Sequence, residues 1–177
     1  MKKNIIHILC VLSTFYVKAN KLPNIVLIYA DDQGWMDTGY QTKGQFQTPT
    51  LDKMAKHGMT FTNAYTNAAN CQPARACLLS GNYTARHHVF AVGSTNRGPK
   101  QKMRLTPTPN RDGLAVEDIT IADALKGVGY ATGHFGKWHL YTKNGKGGGG
   151  ALPSQQGFDV TYDSFGDGEL PEGAKGN

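Results

Sequence analysis

Apolar residues along the chain fall into patterns that predict both strands and helices. Residues 24–30, NIVLIYA, form a continuous apolar run, which is typical of a buried strand in a parallel sheet. Residues 59–65 alternate well enough to predict a second strand, and residues 130–140 predict a third strand with its exit. The segment from 143 to 150 is rich in glycine and predicts a flexible connection.

Three helices are predicted between these strands. Thr48 caps the first helix and Gly58 ends it. The second helix runs from about Pro73 to Ser80, and Thr120 caps the third. The predicted inner faces of the first and third helices consist of Leu51, Met54 and Ala55, and of Ile121, Ala124, Leu125 and Val128.

The order of these elements predicts the fold class. Strand, helix, strand, helix, helix and strand follow one another, which indicates an α/β fold with a mixed, largely parallel central sheet flanked by helices. Apolar patterning is sparse after Leu140, so we expect the sheet to be incomplete in this chain. Residues 93–113 are rich in Gly, Pro, Thr, Lys and Arg and predict a long loop.

The first residues have the pattern of a targeting signal. Lys2 and Lys3 precede a mostly apolar run at 5–17, which is too short to span a bilayer as a helix. Val17 and Ala19 are small residues at the positions that a signal peptidase reads. We predict a signal peptide over residues 1–19, an exported protein in the periplasm, outside the cell or in the secretory lumen, and no stable membrane insertion after cleavage.

Composition limits the choice of partner. The 177 residues are 39% hydrophobic and 18% charged, as in ordinary globular proteins, and the net charge is +6. A basic protein suits an anionic partner, but no zinc-finger spacing and no basic helix interleaved with aromatics is present, so we predict no nucleic-acid binding. The cations of the loop at 93–113 either contact an anionic glycan or simply face solvent.

Cys71 stands where a cysteine can be chemically special. It precedes Pro73 at the start of the second predicted helix, and Arg75 lies one turn further on. Backbone N–H groups, the helix dipole and Arg75 would all stabilise an anion beside Cys71. Two alternatives remain: a small buried cysteine near a helix cap, or a disulfide with Cys77, whose geometry would be awkward at this spacing.

Two further groups of polar residues follow predicted strands. Asp31 and Asp32 come directly after the first strand, where α/β folds place ligand sites, although such a pair is also typical of a solvated turn. Lys137 and His139 would share one face of an extended segment, although an isolated pair of this kind is usually a surface lysine and a core-edge histidine.

The string from Cys71 to Gly81, CQPARACLLSG, resembles the signature of type I sulfatases, and residues 136–140, GKWHL, resemble the second signature of that family. The resemblance implies an alkaline phosphatase-like fold, of which residues 20–177 would be the N-terminal part of the catalytic domain. Ala74 replaces a serine that many members have, and Tyr141 stands where glycine is common. The Cys-x-Pro-x-Arg frame is intact.

The resemblance also implies the chemistry. A maturation enzyme would oxidise Cys71 to formylglycine, whose hydrate has one hydroxyl to attack sulfur and a second to help release sulfate. Asp31, Asp32 and Cys71 would ligate a metal ion, Ca²⁺ or alternatively Mg²⁺. Arg75 and Lys137 would neutralise sulfate oxygens, and His139 would assist proton transfer.

The predicted function is therefore hydrolysis of the sulfate ester of a carbohydrate or an aryl compound, with little or no activity from this chain alone. Two alternatives remain open: a phosphonate or phosphate monoester hydrolase of the same superfamily, and a non-catalytic sulfatase-like remnant. A thiol redox protein using Cys71 and Cys77 is disfavoured, because their spacing is not Cys-x-x-Cys.

Overall fold

The computed structural model of the chain describes residues 22–141 and 149–162. The predicted signal peptide at 1–19, most of the Gly-rich stretch at 143–150 and the tail from 163 onward lie outside the described residues. The chain divides into two compact units, Met1–Ala30 and Asp31–Asn177, and every candidate site residue belongs to the second.

The described part of the first unit, residues 22–30, contains no helix and no strand. Val26 and Ile28 are 82% and 76% exposed. The strand predicted at 24–30 is therefore wrong for this structure. A strand is stabilised by main-chain hydrogen bonds to a neighbouring strand, and residues 22–30 contain no second strand that could provide them.

The second unit contains five α-helices and two short strands within the described residues. The helices are α1 (Gly39–Thr42), α2 (Pro49–His57), α3 (Cys71–Ser80), α4 (Thr84–His87) and α5 (Ile121–Lys126). The strands are β1 (Gly133–Phe135) and β2 (Val160–Tyr162), and single 3-10 turns occur at Lys100–Lys102 and Pro153–Gln155. The three predicted helices correspond to α2, α3 and α5, whereas α1 and α4 were not predicted.

Helix α2 begins at Pro49 as expected, but Thr48 does not cap it with its side chain. The Thr48 hydroxyl instead accepts a hydrogen bond from the backbone N–H of Gly39 and donates one to Asp52. It thereby ties α1 to α2. The predicted inner face of α2 is not buried, since Met54 is 56% exposed.

Helix α3 is the most deeply buried helix of the described chain, and its buried residues run from Gln72 to Cys77. It ends where predicted, because Gly81 adopts a left-handed conformation with φ of 66°. Beside α3 lies the hydrophobic core, which consists of Ala76, Val89, Leu114, Trp138 and Leu140.

Helix α5 has the capping arrangement that the sequence predicts. The Thr120 hydroxyl accepts from the backbone N–H groups of Ala122 and Asp123, and the Asp123 carboxylate accepts from the Thr120 backbone. The Thr120 hydroxyl also donates to the carbonyl of Gln156, so the segment leading to β2 packs over the start of this helix. The buried side of α5 differs from the prediction: Ala122 is buried, whereas Val128 is 62% exposed.

Strands β1 and β2 pair in parallel, with Gly133 opposite Val160 and Phe135 opposite Tyr162. The third predicted strand is thus much shorter than 130–140. Strand β2 was missed, because three residues are too few to show a period of two in the sequence. The strand predicted at 59–65 is wrong: the segment lies outside any ladder, and Tyr65 is 84% exposed.

The described residues confirm an α/β fold with a small parallel sheet. Among them, no helix combines the length and apolar character that crossing a membrane would require.

We expect Thr120→Ala to lower the free energy of unfolding by about 1–2 kcal/mol, because the buried hydroxyl caps two backbone N–H groups of α5. Chemical denaturation followed by circular dichroism measures the change. Thr60→Ala, at an exposed threonine, is the matched control and should change stability little. Equal losses in the two variants would contradict the capping role.

Candidate active site

Cys71 is the first residue of α3 and has a free, half-buried thiol. Asn70 is at the N-cap position but its side chain makes no capping hydrogen bond. The Cys71 sulfur is hydrogen-bonded to Nδ1 of His139 at 3.5 Å, although the two residues are 68 positions apart. The fold thus places an imidazole against the sulfur atom at a helix N-terminus, where backbone dipoles favour negative charge.

Arg75 lies one turn into α3 and is 8% exposed. Its Nη1 donates a hydrogen bond of 2.7 Å to the backbone carbonyl of Lys137. Its Nη2 lies 3.6 Å from Oδ1 of Asp31. A single guanidinium therefore joins α3 to both of the other segments that contain candidate residues.

Asp31 also forms an ion pair with Lys137, whose Nζ lies 2.5 Å from Oδ2. The hydrogen bond from Lys137 holds the pKa of the Asp31 carboxyl below its ordinary value, with a smaller contribution from the charge of Arg75. The same hydrogen bond raises the pKa of Lys137. Asp31 is thus ionised and shared by two cations at neutral pH.

Asp32 and His139 both have left-handed backbone conformations, with φ of 56° and 60°. Such conformations cost energy in residues other than glycine, although Asp and His tolerate them better than most. At His139 the conformation accompanies the contact with Cys71. Asp32 is exposed, and the described residues give it no hydrogen bond or ion pair, so the structure does not bring it into the cluster.

Trp138 lies between Lys137 and His139 and anchors this segment in the interior of the protein. It is 1% exposed, and its indole N–H donates to the carbonyl of Ala151 at 2.8 Å. Its ring packs edge-to-face with those of His134 and Phe158. Lys137 and His139 therefore flank a buried anchor, and the left-handed backbone at His139 shows that this segment is not extended as predicted.

Two contacts near the cluster were not predicted. The side-chain N–H of Gln72 donates to the carbonyl of Asp112 at 2.7 Å, which connects the start of α3 to the end of the long loop. The buried Cys77 sulfur lies 3.3 Å from Nε2 of His87. No short-range pattern could have shown either contact, because each depends on how distant segments pack.

The Cys77–His87 pair is a structural contact. The backbone N–H of Val89 donates to Nδ1 of His87, so in the neutral ring the proton is on Nε2, which donates to the sulfur. Burial lowers the pKa of His87 and raises the pKa of Cys77, which keeps both groups uncharged. Both Cys71 and Cys77 are free, so they do not form the disulfide considered as an alternative.

A family model described as Sulfatase matches residues 23–173, which is most of the chain. The chain belongs to the sulfatase family. A sulfatase from Formosa agariphila is 41% identical over 131 residues, which is 68% of this chain and 23% of that protein. Human arylsulfatase A is 41% identical over 137 residues, or 77% of this chain and 24% of that protein.

Solved structures support the same family. The crystal structure of Ps i-CgsB superposes with a TM-score of 0.59 at 31% identity, covering 81% of this chain and 28% of that one. The fold is accordingly that of the alkaline phosphatase-like sulfatases. This sulfatase chain spans about a quarter of the length of the curated relatives that it matches.

The predicted Ca²⁺ site can be tested against the donor atoms present. Ca²⁺ takes about six to eight oxygen ligands. The described residues contain no group of three or more His, Cys, Asp or Glu side chains that could hold a metal ion. Both oxygens of Asp31 already face cations, and Asp32 lies outside the cluster. The described residues alone therefore do not fit Ca²⁺, and ligation by Asp31, Asp32 and Cys71 stays a prediction.

We expect this sulfatase chain to bind Ca²⁺ only weakly, with a dissociation constant above about 1 mM, because the donor set is small and Lys137 competes for Asp31. Isothermal titration calorimetry with CaCl₂ measures the affinity. Lys137→Gln frees one oxygen of Asp31 and should tighten binding, whereas Lys56→Gln, at an exposed cation of α2, should not. Micromolar binding by the unchanged chain would contradict this interpretation.

The lowered pKa of Asp31 has a consequence for acid stability. Because the pKa is lower in the folded than in the unfolded chain, the ion pair contributes its full stability above pH 3.8, the ordinary value. That contribution is lost as the pH falls through the lowered pKa. Carbon-13 NMR of the Asp31 carboxyl should show titration below 3.8 in the unchanged chain and closer to 3.8 in Lys137→Gln. An identical titration in both proteins would exclude Lys137 as the cause.

Proposed function

We propose that the chain carries the nucleophile of a sulfuric ester hydrolase, and that this nucleophile is a formylglycine made from Cys71. The observation that most supports the proposal is the hydrogen bond between the Cys71 sulfur and Nδ1 of His139 at the N-terminus of α3. A thiol alone would not suffice, since it has no second hydroxyl with which to discharge a sulfated intermediate.

Arg75 and Lys137 are the residues proposed to bind the sulfate group. Their side chains are 10% and 22% exposed, so they are only partly screened by water. Asp31 offsets one of their two charges, which leaves a net charge of +1 in this trio. The N-terminus of α3 adds backbone N–H groups that favour an anion.

That charge balance favours a sulfate ester over a phosphate monoester. A sulfate monoester has a single negative charge, whereas a phosphate monoester approaches two at neutral pH. A trio with net charge +1 matches the first better than the second. The phosphate and phosphonate alternative would require further cations beyond the described residues.

His139 is the residue proposed to move a proton at the nucleophile, because its Nδ1 is within hydrogen-bond reach of the Cys71 side-chain atom. One hydroxyl of the hydrated aldehyde at position 71 would attack sulfur and displace the alcohol of the ester, and the second would then help to eliminate sulfate and regenerate the aldehyde. Arg75 would hold the sulfate oxygens while His139 orients the attacking group. No step is assigned to a metal ion, since the described residues do not fit one.

The proposed substrate class is a sulfated carbohydrate or aryl ester. Relatives named arylsulfatase A and arylsulfatase G support the aryl ester. The carbohydrate is supported by the structure of Ps i-CgsB in complex with k-i-k-neocarrahexaose, at 31% identity. We further propose that the chain is exported through the signal peptide at 1–19. A formylglycine-generating enzyme would be its maturation partner.

Peptide mass spectrometry of the chain co-expressed with a formylglycine-generating enzyme tests the nucleophile. We expect Cys71 to show the mass of the aldehyde in place of the thiol, because it is half-buried at a helix start and stands in the Cys-x-Pro-x-Arg frame. Cys77, which is buried, should remain a thiol and serves as the internal control.

The matched variants are Cys71→Ala and Cys77→Ala. The first should abolish the modified peptide and the second should leave it. If Cys71 stays a thiol while a reference sulfatase peptide in the same cells is converted, the catalytic proposal fails and the alternative of a non-catalytic sulfatase-like remnant takes its place.

A further inference from the structure

The long loop between α4 and α5 is strongly basic in its first part. We define the basic loop as residues 89–111, which contain five cations and neither Asp nor Glu. The cations are Arg97, Lys100, Lys102, Arg104 and Arg111. Since the net charge of the whole chain is +6, most of its excess positive charge is concentrated in these 23 residues.

Hydrogen bonds at its base hold the basic loop in a defined shape. The Asn110 side chain accepts from the backbone N–H groups of Phe90 and Ala91 and donates to the carbonyls of Ala91 and Gly93. The backbone N–H of Arg111 donates to the carbonyl of His88 at 2.9 Å. The Thr95 hydroxyl donates to the carbonyl of Thr108 at 2.5 Å, which closes the loop further out.

The basic loop encloses an open groove of about 630 Å³. This volume is in the range of sites for small molecules, which is roughly 300–1,000 Å³. Its walls combine apolar side chains with two guanidinium groups: Phe90, Met103, Leu105 and Pro107, and Arg97 and Arg104. Leu105 lines the groove and is 84% exposed. Covering its apolar surface with a ligand would be favourable, because that surface now contacts water.

The two arginines of the groove are available to an anion. Arg97 and Arg104 are exposed, and the described residues give neither of them an acidic partner. Arg111, by contrast, pairs with Asp118 at 3.7 Å and is held at the base of the loop. A guanidinium can donate two parallel hydrogen bonds to a sulfate or carboxylate group, which a lysine cannot do.

The combination of apolar and cationic surfaces suits a sulfated sugar. A sulfated sugar has apolar C–H faces that can lie on Leu105 and Met103 and charged groups that can pair with Arg97 and Arg104. Single-stranded nucleic acid would need several aromatic platforms for its bases, and the described residues that line the groove include one aromatic side chain, that of Phe90.

The groove belongs to the same unit as the candidate nucleophile. Asp112 directly follows the basic loop, and its carbonyl accepts the hydrogen bond from Gln72, the residue next to Cys71. We propose that the groove binds a second anionic unit of a sulfated oligosaccharide whose ester group is presented at Cys71. The groove would then favour polymeric over small substrates; the choice of a sulfated ligand rests on the proposed function.

Binding of a fluorescent dextran sulfate oligosaccharide to the chain at physiological ionic strength tests the groove by anisotropy. We expect Arg97→Ala/Arg104→Ala to weaken binding by about tenfold or more, since two charge-assisted contacts are lost. The affinity of Arg97→Lys/Arg104→Lys should lie between that of the unchanged chain and that of the double alanine variant, because lysine keeps the charge but cannot pair in a bidentate way. Leu105→Ala should weaken binding about threefold through lost apolar contact.

The matched control is Lys53→Ala/Lys56→Ala, which removes the same charge from exposed positions of α2 and should change affinity less than about twofold. Circular dichroism checks that each variant is folded. Equal weakening in both double alanine variants would overturn the proposal in favour of attraction by net charge alone. Equal affinity for unsulfated dextran, or full competition by duplex DNA at equal charge, would also overturn it.

The binding measurement uses the chain with Cys71 as a thiol, so it does not depend on catalysis. If Cys71 is not converted to the aldehyde but the groove still binds the oligosaccharide, the hydrolase proposal fails and the groove remains as a binding site for sulfated saccharides. If Cys71 is converted but the oligosaccharide does not bind in the groove, only the proposal for the groove is overturned.

Discussion

The arrangement of the candidate site depends on the contacts that the guanidinium of Arg75 makes with Lys137 and Asp31. Arg75 lies in the most buried helix, donates to the main chain at Lys137 and faces Asp31. A buried cation requires such partners, because an uncompensated charge in the interior is costly. Three segments that are far apart in the sequence are therefore held together by one side chain, and the distance between the Cys71 sulfur and His139 follows from that arrangement.

The charge of the site is set by competition for Asp31. Lys137 and Arg75 share its carboxylate, so neither cation is fully available to a ligand and the carboxylate is not fully available to a metal. An arriving sulfate would draw the cations away from Asp31, and an arriving cation would do the reverse. If this chain binds both an anion and a metal ion, the two binding events would be coupled through Asp31, because each would release the partner that the other needs.

Local rules explain what the sequence predicted well. Gly81 and Thr120 mark helix ends through the chemistry of their own turns. The helix predicted at the Cys71 string is also present, with Cys71 as its first residue and Arg75 one turn further on. Long-range packing explains the failures. The run at 24–30 has apolar residues but is not paired as a strand, and Asp32 is exposed without a hydrogen bond or ion pair among the described residues. The contacts of Gln72 and of Cys77 depend on segments tens of residues away.

The left-handed backbone of His139 limits which replacements at this position are informative. An alanine there would lose the imidazole and also bear a conformational cost of roughly 1 kcal/mol or more. Glycine would relax the backbone and so add freedom while removing the side chain. Asparagine tolerates the same conformation and keeps a polar group near the Cys71 sulfur. Asparagine is therefore the substitution that separates the chemistry of the imidazole from the geometry of the turn that presents it.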